Sequence, residues 1–484
     1  MTEANWPQDG QHIFAGGTWV KLEGADRIPA ISPIDERVIG HVAAARAQDV
    51  DHAVELIRPA LDGWAALGAA ARTEYLSRFA EAIAARKSEL AELETLDGGI
   101  TARTAKRDLT TAIDSLALFS SYAQVLTGST YPAPAGTSAY TVREPYGIAA
   151  RIVPFNHPVM FAVQNAAPVL LAGNAVIIKP PEQASLSTLL LAEIAREVFP
   201  PGVFNVITGY GHEAGAAIVD HPEIPRIGFT GSIPTGRRIL EGAAAHIKHV
   251  TLELGGKNPL IITDDADPDF AARVAVRGMN FTHAGQSCQS TSRVLVQAGL
   301  YDQVIAAMAD KMKELVVGDP RETATDTGPV AFRAHYDRVL GYIDSGVKEG
   351  ARLVTGGGRP DGLGTGLYIK PTLFADVTED MKIAREEIFG PVVSVMRYED
   401  TDEAIRIANA TEYGLSSRVV SGSLERAAAI GRRIQAGTTL LNTTGGRLRG
   451  MPFGGYKESG LGKQSCLEEV LSYTEEKSVV AALP

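Results

Sequence analysis

The 484-residue sequence contains only two cysteines, Cys288 and Cys466. Two thiols this far apart form neither a disulfide framework nor the clustered spacing of a metal site, so we predict no bound metal. A chain of this length builds cores large enough to fold without cross-links. Because the N-terminus also lacks the charged, apolar and small-residue segments of an export signal, we expect a reduced, cytoplasmic protein. Cys466 receives no functional assignment.

The sequence also lacks an uninterrupted apolar run and a block of basic residues. Its most apolar stretch, residues 147–178, is broken by three prolines and by polar side chains such as Arg151 and Asn174. A membrane span would not tolerate these breaks, whereas a buried α/β core would. Lysine and arginine number 46 against 57 aspartates and glutamates, which gives a net charge of −11. We therefore expect no nucleic-acid or membrane partner.

Several segments outside this apolar stretch have a clear secondary-structure pattern. Apolar and polar residues alternate over residues 12–42, with glycines and prolines between the runs, which predicts a small antiparallel β-sheet at the start of the chain. Residues 47–122 follow helical periodicity. Residues 126–145, rich in Gly, Pro, Ser and Thr, predict an extended hairpin that projects from the body and pairs with another subunit. The C-terminal run over residues 471–480 is a candidate strand for the same interface.

From residue 147 onward, short apolar runs alternate with helical periodicity, which predicts a parallel sheet with right-handed crossovers. The predicted strands cover residues 147–153, 175–179, 204–208, 226–230, 250–254 and 260–263, with helices over 159–172 and 186–198 and from 213 and 235. Ligands bind beyond the carboxyl ends of such strands, where Asn156, Lys179 and Ser232 lie. A second α/β pattern follows Cys288, and a cleft between two such units is typical of an enzyme.

Two glycine-rich turns are candidates for a phosphate site. The first begins at Gly209 and matches the dinucleotide pattern G-x-G-x-x-A. The second begins at Gly231, with Ser232 as a helix N-cap and Pro234 near the first helical position, so that backbone N–H groups would face an anion. We favour the second turn; the alternative is that both are ordinary strand-to-helix turns.

Cys288 lies in the stretch FTHAGQSCQSTSR, among small and polar neighbours. A buried structural cysteine normally has aliphatic surroundings that raise its pKa and leave it inert, so this setting favours a reactive thiol. A small buried hydrophobe is the alternative interpretation. Glu253, in VTLELGG, is either a salt-bridged strand residue or a functional carboxylate.

Seven motifs occur in order across nearly the whole chain: VPFNHP, IIKPPE, FTGS, LELGGKNP, GQSC, EEIFGPV and PFGGYKESG. Together they resemble the NAD(P)-dependent aldehyde dehydrogenase superfamily, in its hydrolytic, non-CoA-acylating type. The resemblance implies an α/β fold with a Rossmann-type NAD-binding domain (1–125 and 146–256), a second α/β catalytic domain (257–466) and a small β oligomerisation element (126–145 and 467–484). It also implies a homodimer or homotetramer.

The same resemblance assigns a catalytic trio. Cys288 would attack the aldehyde carbon, giving a thiohemiacetal and, after hydride transfer, a thioester. Asn156 would hold the oxyanion together with the N–H of Cys288. Glu253 would activate the hydrolytic water, which requires a pKa raised by partial burial. Because relatives that release acyl-CoA generally lack this carboxylate, Glu253 implies that a free acid leaves.

Other motif residues resemble the family's cofactor contacts. These would hold the adenosine ribose (Lys179 and Glu182), the pyrophosphate (Gly231 and Ser232, or the turn at Gly209) and the nicotinamide ribose and ring (Glu387, Phe389 and Phe155). A carboxylate at position 182 accepts ribose hydroxyls but repels a 2′-phosphate, so NAD is favoured over NADP.

The chain departs from the common family pattern around the substrate and, at Pro234, in the phosphate turn. Phe155 and His157 flank Asn156 where many relatives have tryptophan and phenylalanine, Pro234 replaces a frequent acidic residue, and His283 replaces a frequent asparagine. The candidate substrate contacts are His157, Phe161, Arg447 and Arg449. Two arginines within three residues of the substrate-entrance loop favour steering of a carboxylate or a hydroxylated ring, with solvated surface charge as the alternative. We therefore expect an aromatic or carboxylate-bearing aldehyde.

Two other functions are open from the sequence. His283 and Cys288 are close enough in sequence to form the pair of a cysteine hydrolase, although no papain-like or caspase-like signature surrounds them. The chain is alternatively a catalytically retired binding or scaffold protein on this fold, which the presence of all three catalytic residues disfavours.

Overall fold

A computed structural model describes residues 7–482, a span that contains twenty β-strands and sixteen α-helices. The strands are β1 (His12–Ala15), β2 (Thr18–Lys21), β3 (Arg27–Ile31), β4 (Val38–Ala43), β5 (Thr130–Tyr131), β6 (Thr137–Pro145), β7 (Ile148–Ile152), β8 (Ala175–Lys179), β9 (Phe204–Val206), β10 (Arg226–Thr230), β11 (His249–Glu253), β12 (Pro259–Ile262), β13 (Arg293–Gln297), β14 (Arg352–Thr355), β15 (Thr372–Ala375), β16 (Val392–Tyr398), β17 (Ser416–Val420), β18 (Thr438–Leu441), β19 (Gly460–Leu461) and β20 (Thr474–Ala482). The helices are α1 (Ala47–Ile57), α2 (Leu61–Ala66), α3 (Ala69–Ala85), α4 (Lys87–Gly98), α5 (Ala102–Ser121), α6 (Pro158–Leu171), α7 (Leu186–Arg196), α8 (Ala216–Asp220), α9 (Ile233–Ala244), α10 (Pro268–Gly278), α11 (Tyr301–Lys313), α12 (Arg333–Lys348), α13 (Lys382–Arg385), α14 (Thr401–Asn409), α15 (Leu424–Gly431) and α16 (Leu467–Leu471).

The first large sheet has the strand order β19-β11-β10-β7-β8-β9-β1-β2. Strands β7 to β11 run parallel, and β19 and β1 pair antiparallel with β11 and β9. Successive residues of β8 face two different cores. Ala175 and Ile177 face the core that contains α1, α8 and α9, whereas Val176 and Ile178 face the core that contains α3 to α7. Burial on both faces explains why these four residues are all apolar.

The second large sheet has the order β14-β15-β16-β13-β12-β17-β18, with every neighbouring pair parallel except β14 and β15. Helices α12 to α15 contribute to the core on one face, and α10 and α11 contribute to the core on the other. Only residues 254–258 separate β11 of the first sheet from β12 of the second. The two sheets therefore meet next to the end of β11.

Two smaller sheets complete the fold. The hairpin β3–β4 confirms the predicted antiparallel β start, as does the β1–β2 pair. The hairpin predicted over residues 126–145 is confirmed as β5 and β6. The C-terminal run forms the expected strand, β20, which pairs with β6 of its own chain along all nine residues. Its role at a subunit interface stays a prediction. Without β20, that edge of β6 would carry a long row of unpaired backbone groups.

Most predicted elements of the first sheet are confirmed, with small shifts. Strands β8 and β10 have their predicted bounds. Helix α9 begins two residues before its predicted start, because Ser232 caps it. The helix predicted from residue 213 starts as a π-helical turn over Gly211–Gly215 and becomes α-helical at Ala216. Within residues 7–482, no helix is long and apolar enough to cross a membrane.

Candidate active site

The parallel strands of the first sheet deliver polar residues to one edge. Lys179 and Glu253 are the last residues of β8 and β11, Asn156 follows β7, and Gly231 follows β10. Because parallel strands end at the same edge of a sheet, these residues share one crevice, as the sequence predicted.

The Gly255-Gly256 pair after β11 lets two further segments approach this edge. A Cβ atom at residue 256 would lie 2.6 Å from the carbonyl oxygen of Cys288. A Cβ atom at residue 255 would lie 2.1 Å from Oε2 of Glu387. The contact at residue 256 is with backbone and requires glycine, whereas a side chain at residue 255 would push the Glu387 carboxylate out of its place at the end of β11.

Asn258 holds the loop that carries Cys288. Its Nδ2 donates hydrogen bonds to the carbonyl oxygens of Cys288, at 2.7 Å, and Ser290, at 2.9 Å. Its Oδ1 accepts a hydrogen bond of 2.9 Å from the backbone N–H of Ser416, at the start of β17. The side chain is fully buried, so all three bonds are shielded from water. Asn258 thus fixes the Cys288 loop to the second sheet.

The Asn156 amide lies against the same loop. Its Nδ2 donates a 2.9 Å hydrogen bond to the carbonyl oxygen of Gln286, two residues before Cys288. The side chain of Gln286 is fixed in turn, since its Oε1 accepts a 3.0 Å hydrogen bond from the backbone N–H of Ala331. An amide nitrogen carries two hydrogens, so Asn156 retains one that can be donated to an oxyanion formed at the sulfur.

Glu253 is a buried carboxyl group with only 3% of its surface exposed. Neither of its oxygens has a hydrogen-bond partner among residues 7–482. Burial raises the pKa of Glu253 well above its usual value, and the carboxylate of Glu469 raises it further, while Lys463 and Arg151 partly oppose them. The expected direction of this shift is confirmed. A carboxyl group of this kind is suited to accept a proton near neutral pH.

The pKa of the Cys288 thiol differs from the value that its small, polar sequence neighbours led us to expect. Although the residue is only half-buried, burial of the sulfur raises the pKa of Cys288 to about 12, and the carboxylates of Glu387 and Glu253 add to the effect. Backbone N–H groups of Cys288 and Gln289 lower the pKa only in part. The expectation of a readily ionised thiol is therefore wrong, because the fold buries the sulfur and brings two carboxylates that are distant in sequence close to it.

Lys179 and Glu182 form a polar pair at the end of β8. Lys179 is buried, and its Nζ donates a 2.9 Å hydrogen bond to the carbonyl oxygen of Pro180 and lies 3.4 Å from Oε2 of Glu182. Burial lowers the pKa of Lys179, and Glu182 opposes that shift. The Glu182 side chain remains 29% exposed, so the pair can still reach the hydroxyls of a bound ribose.

The two glycine-rich turns follow β9 and β10, which are separated in the sheet by β7 and β8. Ser232 is the N-cap of α9, and its Oγ accepts a hydrogen bond of 3.4 Å from the backbone N–H of Thr235. Ser232 is exposed, which leaves the N-terminus of α9 open to an anion. The other turn, at Gly209, leads into a π-helical turn rather than directly into an α-helix.

Glu387 contacts the glycine pair after β11, and Phe155 and Phe389 pack against each other. Oε1 of Glu387 accepts a 2.9 Å hydrogen bond from the N–H of Gly256, and burial raises the pKa of Glu387 to about 7. The rings of Phe155 and Phe389 meet edge to face with centroids 5.7 Å apart. The carbonyl oxygen of Phe389 lies 2.8 Å from Nε2 of His335, which fixes the left-handed backbone at Phe389.

The four candidate substrate residues fall into two groups. The rings of His157 and Phe161 meet edge to face at 5.6 Å. The Arg447 guanidinium lies over the Phe453 ring at 5.0 Å, and its positive charge partly opposes the rise in the pKa of Glu253. Arg449, in contrast, is exposed and pairs with Asp114 of α5. Of the two arginines, therefore, Arg447 is the one that faces the crevice.

The geometry of His283 removes the cysteine-hydrolase interpretation. Its Nε2 is hydrogen-bonded to Oδ2 of Asp108 at 3.1 Å, and its Nδ1 lies 3.5 Å from Oγ1 of Thr282. Both ring nitrogens are thus occupied by groups other than the Cys288 sulfur. The prediction of a His283–Cys288 pair is wrong, because Asp108, from a helix far away in sequence, binds the imidazole.

Comparison with known proteins decides the family. The model of the aldehyde dehydrogenase family matches residues 19–479. The chain belongs to the aldehyde dehydrogenase family. Aldehyde dehydrogenase tropH of Talaromyces stipitatus is 43% identical over 476 residues, which cover 96% of this chain and 92% of the relative.

Solved structures of aldehyde dehydrogenases and related proteins have the same fold. PnpE of Pseudomonas sp. WBC-3 is 38% identical with a TM-score of 0.94, over 98% of each chain. A mutant of aldehyde dehydrogenase C from Pseudomonas syringae, in complex with NAD+ and octanal, is 37% identical with a TM-score of 0.93, over 98% of this chain and 97% of that one. The predicted superfamily and α/β fold are confirmed.

In this member of the aldehyde dehydrogenase family, two site residues escaped the sequence interpretation. Asn258 lies in the LELGGKNP motif. Its position as a polar residue between a glycine pair and a proline was a sequence signal that could have identified it as a site residue. Asp108 lies in the amphipathic helix α5 with no local motif, and only the packing of α5 brings it to His157 and His283.

Proposed function

We propose that the protein oxidises an aldehyde to the carboxylic acid with NAD+ through a covalent thioester on Cys288. The observation that carries the proposal is the buried Glu253 carboxyl group, unpaired among the described residues and electrostatically coupled to the Cys288 thiol. The overall reaction consumes aldehyde, NAD+ and water, and it yields carboxylate, NADH and two protons.

Acylation begins when the Cys288 thiol loses its proton to Glu253 and the sulfur forms a bond to the aldehyde carbon. The carbonyl electron pair moves to oxygen, and the Asn156 amide and the N–H of Cys288 stabilise that oxyanion. Removing one such donor in comparable enzymes costs about 2.7–4 kcal/mol of transition-state stabilisation. Loss of hydride from the carbon then restores the C=O bond as a thioester.

Deacylation uses Glu253 a second time. Glu253 first releases to solvent the proton that it took from the thiol. The carboxylate then accepts a proton from water, whose oxygen attacks the thioester carbon while Asn156 again holds the oxyanion. The C–S bond breaks, the acid leaves, and the sulfur regains a proton. The same carboxyl group thus serves both half-reactions, which is consistent with a pKa raised by burial.

The residues around the crevice fit NAD+. The exposed N-terminus of α9 at Ser232 suits the pyrophosphate, and Lys179 with Glu182 suits the adenosine ribose. Glu387, beside Phe155 and Phe389, suits the nicotinamide end. Bound NAD+ would supply the hydride acceptor. The partly exposed Glu182 carboxylate favours NAD+ over NADP+, because a 2′-phosphate would place like charges together.

The substrate is proposed to be an aromatic or carboxylate-bearing aldehyde. Arg447 supports this proposal, since its Nε is buried without a partner in residues 7–482 and its guanidinium already lies against the Phe453 ring. An anionic or hydroxylated substrate would provide the missing acceptor. His157 and Phe161 are proposed as the aromatic wall of the same funnel.

We further propose that residues 1–125 and 146–256, which contain every strand of the first large sheet except β19, are the cofactor domain and that residues 257–466 are the catalytic domain. The three-stranded sheet of β5, β6 and β20 supports an oligomerisation element at 126–145 and 467–484, because β20 has a free edge within the described chain. A cytoplasmic homodimer or homotetramer is the corresponding proposal.

Replacement of Cys288 by Ala tests the function. We expect NADH formation from aldehyde to fall to background, while NAD+ binding measured by calorimetry stays within about twofold of wild type because the sulfur is not a proposed cofactor contact. NADH formation at the wild-type rate would refute the proposal. A Cys466→Ala variant, which we expect to retain full turnover because Cys466 has no proposed role, is the matched control.

A further inference from the structure

Asp108 lies between two histidines that belong to different loops of the site. The carboxylate comes from α5 and is buried, with 4% of the residue exposed. Its Oδ2 lies 2.6 Å from Nδ1 of His157 and 3.1 Å from Nε2 of His283. The two imidazole centroids are 4.1 Å apart. One oxygen therefore joins both rings.

Each histidine is tied to one half of the proposed oxyanion site. His157 directly follows Asn156 in the chain. The carbonyl oxygen of His283 accepts hydrogen bonds from the backbone N–H and from Nε2 of Gln286, at 2.9 and 3.0 Å. The carbonyl oxygen of Gln286 in turn accepts the hydrogen bond from Asn156. The contacts close a ring that runs from Asp108 through both loops and back.

The charges around the cluster favour an ionised Asp108. His157 and His283 lower the pKa of Asp108 far below its usual value, and they overcome the opposing effect of burial. Nη2 of Arg107 lies 3.6 Å from the other carboxylate oxygen. With Asp108 as the acceptor, His157 carries its proton on Nδ1 and His283 on Nε2. Glu94 of α4 also faces Asp108, which helps to raise the pKa of Glu94 to about 8.

We propose that Asp108 is a positioning residue that, through His157 and His283, sets the separation between the Asn156 amide and the Cys288 loop. The proposal rests on the proposed function, because only an oxyanion at Cys288 gives that separation a chemical purpose. Asp108 touches neither substrate nor cofactor in this role. Its contribution resembles that of a carboxylate behind a catalytic histidine, where the outer residue fixes the orientation of an inner group.

Asp108→Asn is the first test, read by stopped-flow NADH formation at saturating NAD+ and aldehyde. We expect the first-turnover rate to fall about 10- to 100-fold, as for other orienting residues, while KM for NAD+ stays within about twofold. Asp97→Asn is the control, since Asp97 is another buried carboxylate, which accepts a hydrogen bond from the N–H of Leu186. A first-turnover rate within twofold of wild type for Asp108→Asn, or an equal loss in Asp97→Asn, would overturn the proposal.

A pair of variants at residue 283 decides the question even if Asp108→Asn fails to fold. His283→Gln keeps an N–H donor near the position of Nε2, whereas His283→Leu removes it. We expect the Leu variant to lose the first-turnover rate by about tenfold or more and the Gln variant to recover most of it. Equal rates for the two would overturn the proposal. If Cys288→Ala is inactive but these variants behave alike, the positioning role fails and the proposed function stands.

Discussion

The resting state of Cys288 gives the sharpest prediction. With a pKa of about 12, the thiol at pH 8 is ionised in about one molecule in ten thousand, because the two values differ by four units. A cysteine with the ordinary value of 9.0 would be ionised in about one molecule in ten. Because iodoacetamide reacts with the thiolate, the free protein should be alkylated about a thousandfold more slowly than an ordinary cysteine.

The assay is alkylation of a Cys466→Ser variant, in which Cys288 is the single thiol, followed by mass spectrometry of the intact protein. The rate constant should rise about tenfold per pH unit from pH 7 to pH 10, because the thiolate fraction rises in that proportion below the pKa. Glu387→Gln should accelerate alkylation at pH 8, since the Glu387 carboxylate is the largest charge that raises the pKa of Cys288. Addition of NAD+ should also accelerate alkylation, because the positive charge on the nicotinamide ring of NAD+ would stabilise the thiolate. A rate that is already constant below pH 8 without cofactor would refute this reasoning.

The remaining predictions concern the loop and the substrate. Asn258→Ala removes three buried hydrogen bonds and should lower the free energy of unfolding by about 3 kcal/mol, measured in urea, with a loss of kcat because the Cys288 loop is released. Unchanged urea unfolding would show that the three bonds do not hold the loop. Arg447→Ala should raise KM at least tenfold for carboxylate-bearing and hydroxylated aromatic aldehydes but not for octanal, with Arg449→Ala as the matched surface control. An equal change for all aldehydes would exclude steering by Arg447.

The fold was largely predictable because its strands are short apolar runs separated by regular helices. The all-apolar stretch Ala175–Ile178 could only be a strand buried on both faces, and Ser232 marked the start of α9. The pairing of the C-terminal strand with β6 was not predicted, since β6 lies over three hundred residues earlier and nothing local reveals that pairing.

Site residues could be predicted where a local sequence motif contains them. A pKa could not be predicted where it depends on charged residues that are distant in sequence. Cys288, Asn156 and Glu253 stand in recognisable motifs. The pKa of Cys288 was misjudged, because it depends on burial of the sulfur and on the charge of Glu387, which is distant in sequence. Asp108 was missed for the same reason, since the histidines it binds lie on loops that only the tertiary structure brings together.

The most direct test of the mechanism is the intact mass of Glu253→Gln after mixing with NAD+ and an aldehyde substrate. Without the carboxylate the thiol loses its base and water is not activated, so we expect NADH to form more slowly than in wild type and to stop at about one equivalent. The protein should then be heavier by one acyl group, which peptide mapping assigns to Cys288. Continued turnover with no adduct on Cys288 would contradict the role of Glu253 and the thioester route.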